Sequence, residues 1–281
     1  MDGMDETPGG DALRTRGGES AVRVEAASYV RGGYRSFEFA DASARAGALT
    51  ALLSGERVHA RDLLLAVVGM VRPTSGSLAV GGASFTAPAG GGRLRAALAW
   101  GAFRRMLRAG GLVGVGVFTG LTDLEEALTV EEAVSREMAR RRRSGDTASD
   151  PLDFLAQLGL ATHADRRVGL IPPAARARLS AAVALAAAPR AAVIDLRDPF
   201  CAGLTAAEEL AAVRALRGVA RSTGAAIMVS CAEARSAAAA DAAFALDIAA
   251  SEALRGLPVE MPGLLSAARG CGRPVSEGVD A

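Results

Sequence analysis

ALTALLSGERVHARDLLLAVVGMVRPTSGSLAVGG, residues 48–82, changes its pattern three times. Residues 48–53 are a short apolar run closed by Ser54-Gly55, the pattern of a buried strand. Residues 60–71 carry the apolar content of a buried helix. Pro73 and Gly76 then punctuate the chain, and SLAV at 77–80 reads as another strand. Strand, short turn, buried helix and strand is the beginning of an α/β sheet.

The pattern continues outward from this stretch. VRVEAA at 22–27 and RSFEF at 35–39 predict strands, and Gly81 to Gly92 predicts a loop. Residues 93–109 predict a helix ended by Gly110-Gly111, followed by a strand at 112–118. Residues 129–142 predict a helix opened by a capping-box spacing, Thr129 with Glu132. The Arg140–Arg143 run predicts a solvated helix end that suits the dipole, with contact to lipid headgroups as the other reading. Helices follow at 151–160, 174–187, 206–222 and 233–241, and strands at 191–195, 225–230 and 243–248. No fixed-period repeat is found. Strands alternating with helices predict an α/β fold with a largely parallel sheet. Residues 1–20 read as a disordered leader, and the chain beyond about Pro258 as a loosely ordered tail.

Composition removes several function classes. The chain has 281 residues, enough to bury a sizeable core, with 50% hydrophobic, 22% charged and only 4% aromatic residues. A net charge of +1 argues against a nucleic-acid binder. There is no Lys and no Asn, so all 32 basic residues are Arg, and the histidines are His59 and His163 alone. A Schiff-base Lys or a multi-His metal site is therefore excluded. Cys201, Cys231 and Cys271 lack C-x-x-C spacing and predict small buried apolar residues. The acidic, Gly-rich N-terminus is no secretory signal, and no apolar run reaches the ~20 residues of a membrane span. These features predict a cytoplasmic chain without a membrane span.

In a parallel α/β sheet the site lies at the carboxyl ends of the strands. Two turns qualify, after Leu53 and after Ile194. A phosphate-binding loop belongs at the first, and an acidic metal or water ligand at the second.

At these turns the sequence resembles the ATP-binding cassette of ABC transporters. The segment 51–82 resembles the Walker A region, with Gly69 followed by Arg72-Pro73-Thr74-Ser75-Gly76. Leu128-Thr129-Val130-Glu131-Glu132-Ala133-Val134 resembles the L-T-V-x-E-x-V that follows the Q-loop. Residues 152–185 resemble the segment around the signature motif. Pro189-Arg190 and the strand ending at Asp195 resemble Walker B, Pro199 to Leu204 the D-loop, and IMVS with Cys231-Ala232-Glu233 the H-loop region. The resemblance covers about residues 22–248. It implies a P-loop NTPase core with an antiparallel β piece and a helical subdomain at about 121–172, all within 21–257.

The departures fall on the functional positions. The family's G-x-x-x-x-G-K-[ST] loop falls on Ser54, Gly55, Glu56, Arg57, Val58, His59, Ala60 and Arg61. Ala60 takes the place of the phosphate Lys, and Arg61 that of the magnesium-binding hydroxyl. Arg57, Val58 and His59 resist the φ > 0 backbone of a phosphate nest. Arg57 or Arg61 is the candidate cation for phosphate in place of Lys; His59 is either a phosphate contact or a lone surface histidine. The Q-loop Gln falls on Gly120, and L-S-G-G-Q on Ile171-Pro172-Pro173-Ala174-Ala175. The Walker B Asp falls on Asp195, which reads either as a metal ligand or as a strand-end acid capping the next turn. The catalytic Glu falls on Leu196, or on Asp198 when the D-loop is the anchor; the D-loop Asp falls on Thr205 and the H-loop His on Ala232. Tyr29 or Tyr34 is the candidate adenine-stacking aromatic, ordinary packing being the other reading.

The resemblance thus implies a catalytically degenerate cassette subunit. Its cofactors by family are ATP and Mg, and its partners a membrane permease at the cytoplasmic face and a second cassette. The alternatives are an active transporter ATPase and a nucleotide-independent scaffold.

Overall fold

β3 (Leu49–Leu53) is buried at every residue, as its unbroken apolar run requires. β7 (Ala191–Asp195) and β8 (Ala226–Cys231) are buried throughout in the same way. With β6 (Val113–Val115) and β9 (Ala242–Ala245) they form an all-parallel sheet in the order β6-β7-β8-β3-β9. The computed structural model describes residues 20–88, 92–141 and 150–257. The leader up to residue 19, the tail from residue 258, Cys271 and Arg142 and Arg143 of the arginine run lie outside the described residues.

A second, antiparallel sheet has the order β2-β1-β4-β5, from β1 (Ser20–Arg31), β2 (Tyr34–Arg45), β4 (Ser75–Val80) and β5 (Ala83–Thr86). β5 falls where the sequence predicts only loop. Gly81 and Gly82 both have positive φ, 56° and 93°, and turn β4 directly back on itself. Gly76 has no alternative residue: a Cβ there would lie 2.3 Å from the Ala26 carbonyl oxygen, across β1.

α1 (Arg57–Val67) lies between the two sheets, with Leu63, Leu64, Ala66 and Val67 fully buried. α2 (Arg93–Gly110) sets Trp100 and Phe103 against Phe85 of β5 and ends on Gly111 in the left-handed conformation. α3 (Val130–Arg141) and α4 (Pro151–Gln157) share one apolar cluster with α5 (Pro173–Leu185). The predicted box at α3 forms: Thr129 Oγ1 accepts from the Glu132 N–H, and Glu132 Oε2 accepts from the Thr129 N–H. α6 (Ala206–Thr223) and α7 (Ala234–Ala238) cover the other face of the parallel sheet.

The last strand stops at Ala245, and α8 (Ile248–Leu254) follows, which the sequence reading did not separate from it. The strand predicted at 112–118 narrows to three residues, and the helix predicted at 233–241 to five. Cys201 and Cys231 are buried in the apolar core, and burial pushes the Cys201 thiol up to about 12, so both pack as small apolar groups. No helix among the described residues is long and apolar enough to cross a membrane.

Candidate functional site

In the parallel sheet Leu53 pairs with Cys231 and Ala245, and Asp195 with Ser230, so the strands end together. Their carboxyl edge gathers Ser54, Thr119, Asp195, Asp198, Ser230 and Asp247. Both turns expected to carry chemistry lie on this edge.

Arg61 is its centre. The residue projects from the second turn of α1, and its side chain is only 15% exposed. Its guanidinium donates to Asp198 Oδ2 and, at 2.8 Å, to the Thr119 carbonyl. The Asp195 carboxylate lies 3.6 Å away, and the guanidinium sits over the Phe118 ring at 5.3 Å. Asp198 also accepts from Thr119 Oγ1, the Thr119 N–H and the Phe200 N–H. Burial alone raises the Asp198 carboxyl. The bonds from Thr119 and Phe200, together with Arg61, outweigh it and hold the group below its ordinary value. Asp195 shifts the other way. Burial is the main cause and the Asp198 charge adds to it, against a bond from Ser230. One Asp195 oxygen accepts from Ser230 Oγ at 2.5 Å and from the Arg197 N–H at 3.1 Å; the other has no hydrogen-bond partner. Asp195 thus caps the turn after its strand while facing the guanidinium.

The turn before α1 is short. β3 ends at Leu53 and α1 begins at Arg57, so three residues connect them, and Arg57, Val58, His59 and Ala60 are already helical. No residue from 54 to 61 has positive φ. The helix starts three residues earlier than its apolar run suggests. Ala60 is fully buried in the core. The Gly55 N–H and Ser54 Oγ both donate to Asp247 Oδ2 at 2.7 Å. His59 Nδ1 lies 3.1 Å from Ser54 Oγ and 3.8 Å from Asp247. From the opposite side Arg197 donates to the Ser54 carbonyl at 2.6 Å and the Gly55 carbonyl at 3.2 Å. A carboxylate and a guanidinium from elsewhere in the chain thus occupy the backbone groups of this turn.

Other candidates separate from this cluster. His59 is no lone surface residue, being largely buried and bonded to Ser54. Arg57 is exposed and takes no part in the cluster. Leu196 packs in the apolar core, so of the two residues proposed beside Asp195 only Asp198 joins the site. Tyr29 packs on Phe37, with ring centroids 6.2 Å apart, and Tyr34 is exposed beside the β1–β2 turn. Gly120 takes φ 82° and donates to Asp123. Thr205 N-caps α6 through a full capping box with Glu208. The Ala232 and Glu233 N–H groups both donate to Glu209, a buried acid from α6. Pro172 and Pro173 open α5 without amide donors, and the amides of Ala175 and Arg176 turn back to the Pro172 carbonyl. Among the described residues no cluster of His, Cys, Asp and Glu has the arrangement of a metal site.

Sequence reasoning missed Thr119, Arg197, Glu209, Ser230 and Asp247. An Asp three residues before the amide it caps in a new helix was a usable signal for Asp247 alone.

No protein-family model matches the chain, and no curated protein matches it. Solved structures do. The chain resembles cbiO1 from Clostridium perfringens, described as part of the ABC transporter complex cbiONQ, at 18% identity and TM-score 0.59 over 81% of this chain and 85% of that one. It resembles an ATP-binding cassette of an ABC transporter in its ADP conformation at 14% identity and TM-score 0.58, over 81% and 87%. A bacterial ABC transporter cassette solved as a dimer matches at 14% identity and TM-score 0.58, over 80% and 94%. The expected architecture is therefore present: the chain has the fold of an ABC-type ATP-binding cassette.

Proposed function

We propose that the chain is a cassette-fold subunit of a transport system that docks on a membrane permease at its cytoplasmic face without hydrolysing ATP. The observation that carries this reading is the position of Arg61. Nucleotide hydrolysis on this fold needs a hydroxyl and an acid on Mg²⁺, with a Lys on the phosphates. Here a guanidinium only 15% exposed lies against Asp198 and near Asp195, where a divalent cation belongs. A dication brought beside it would meet like charge with little solvent to screen it. The Gly55 amide already bonds a carboxylate, and the Lys position is buried alanine. These residues do not fit a magnesium triphosphate. The description of cbiO1 as part of a transporter complex supports the transport setting.

The test is direct. Purified protein is expected to show no phosphate release above a no-enzyme control and no heat of binding on titration with ATP and Mg²⁺. Turnover that disappears in Asp198→Ala would refute the reading and favour an active ATPase.

A further inference from the structure

A cleft lies at the edge of the parallel sheet opposite the Arg61 cluster, by the amino ends of β6 and β7. Its volume is about 690 Å³, within the range of small-molecule sites. The end of α1, the last two turns of α2, β6 and the turn before β7 form its wall. Arg104, Arg108 and Arg190 line it, and no carboxylate does. None of the three guanidinium groups has an ion pair or hydrogen bond with a described residue. Leu107, Val113 and Val115 make the intervening wall apolar.

The arginines are not all accounted for by the helix that carries two of them. Arg108 sits in the last turn of α2, where a cation suits the dipole. Arg104 is a full turn earlier, and Arg190 precedes a strand. The Arg104 stem is held in place, because Gly69 passes so close that a Cβ there would lie 3.0 Å from Arg104 Cγ. Ala188, also in the wall, holds φ 45°, a conformation alanine takes only where its surroundings impose it.

We propose that this cleft binds a phosphate monoester carried on an apolar body. Guanidinium forks match phosphate oxygens in pairs, and three of them suit a dianion. The apolar wall between them suits the body. The site is separate from the Arg61 cluster and does not depend on the reading given to it.

The test uses the full chain, with phenyl phosphate, inorganic phosphate and vesicles of phosphatidic acid in phosphatidylcholine. Saturable binding of phenyl phosphate, about tenfold tighter than inorganic phosphate, is expected. Arg104→Ala and Arg190→Ala should each weaken it about tenfold. Arg95→Ala, on the exposed first turn of α2, should not. Thermal melts of the variants report whether the fold is kept. Vesicle binding with the same Arg104 and Arg190 dependence, without phenyl phosphate binding, would keep the phosphate chemistry and assign the source as a lipid headgroup. Equal losses in Arg95→Ala, or no saturable binding of phenyl phosphate or inorganic phosphate at ~10 mM together with no vesicle binding, would overturn the proposal.

Discussion

Asp247 stands 193 positions from Ser54 yet accepts from both Ser54 Oγ and the Gly55 amide, and it also caps α8. A sequence spacing can point to the turn at 54–61 but not to a partner so distant, which only strand order brings to the same edge. The same holds for Arg61. Its position was legible as a candidate cation, whereas its bonds to Asp198 and Thr119 were not. Burial pushes the Asp247 carboxyl up. Bonds from Ala250, Ser54 and Gly55, with His59 nearby, outweigh this and hold it below its ordinary 3.8. A depressed carboxyl means that the folded protein binds fewer protons than the unfolded chain. Its stabilisation is present above the ordinary value and lost as pH falls through the depressed one. Asp247→Asn is therefore expected to cost about 1–2 kcal/mol at pH 7. Urea unfolding at pH 7 and pH 3 checks it, and the gap between variant and parent should narrow in acid. A gap that stays constant or widens would show that the charge contributes nothing.

At the scale of elements, unbroken apolar runs and capped helices were legible, and elements without such a pattern were not. The apolar runs of β3, β7 and β8 and the caps of α2 and α3 read directly, because each encodes its own environment. β5 has four residues between glycines and a Pro-containing stretch, too few for a period, and its one signal is the Gly81-Gly82 turn. The start of α1 was missed because Arg57, Val58 and His59 carry no helical stripe; their helix is imposed by the three-residue connection from β3. That early start decides what repair of the turn can do. Ala60 is fully buried within the core cluster. Ala60→Lys would place an ammonium among apolar side chains instead of against a phosphate. The variant is expected to lose about 3 kcal/mol of stability and to gain no ATP binding. Chemical denaturation and calorimetry measure the two quantities, and tight ATP binding by this single variant would mean that the turn can open into a phosphate cradle.

At the scale of the whole molecule, the proposed docking on a permease depends on which apolar residues the helical cluster leaves outside. The Leu128–Val134 stretch does not supply it: Val130 and Val134 are fully buried, and Leu128 packs against the same cluster. The preceding segment does reach solvent. Leu121 is 52% exposed, Asp123 and Glu126 are exposed beside it in sequence, and Leu170 is 75% exposed next to Gly169, whose amide bonds the Glu126 carbonyl. Single apolar side chains among acids suit an amphipathic partner helix with a basic rim. Leu121→Asp and Glu126→Arg are therefore expected to weaken co-purification with a membrane protein extracted in mild detergent. Both side chains lie at the surface, so the melting temperature should stay within the effect of about ±0.5 kcal/mol usual for exposed positions. Leu128→Asp should instead lower the melting temperature, because it introduces a charge into the cluster shared by α3, α4 and α5. If cross-linking in the native cell captures no membrane partner and the protein stays wholly in the soluble fraction, the docking role fails and a nucleotide-independent scaffold takes its place.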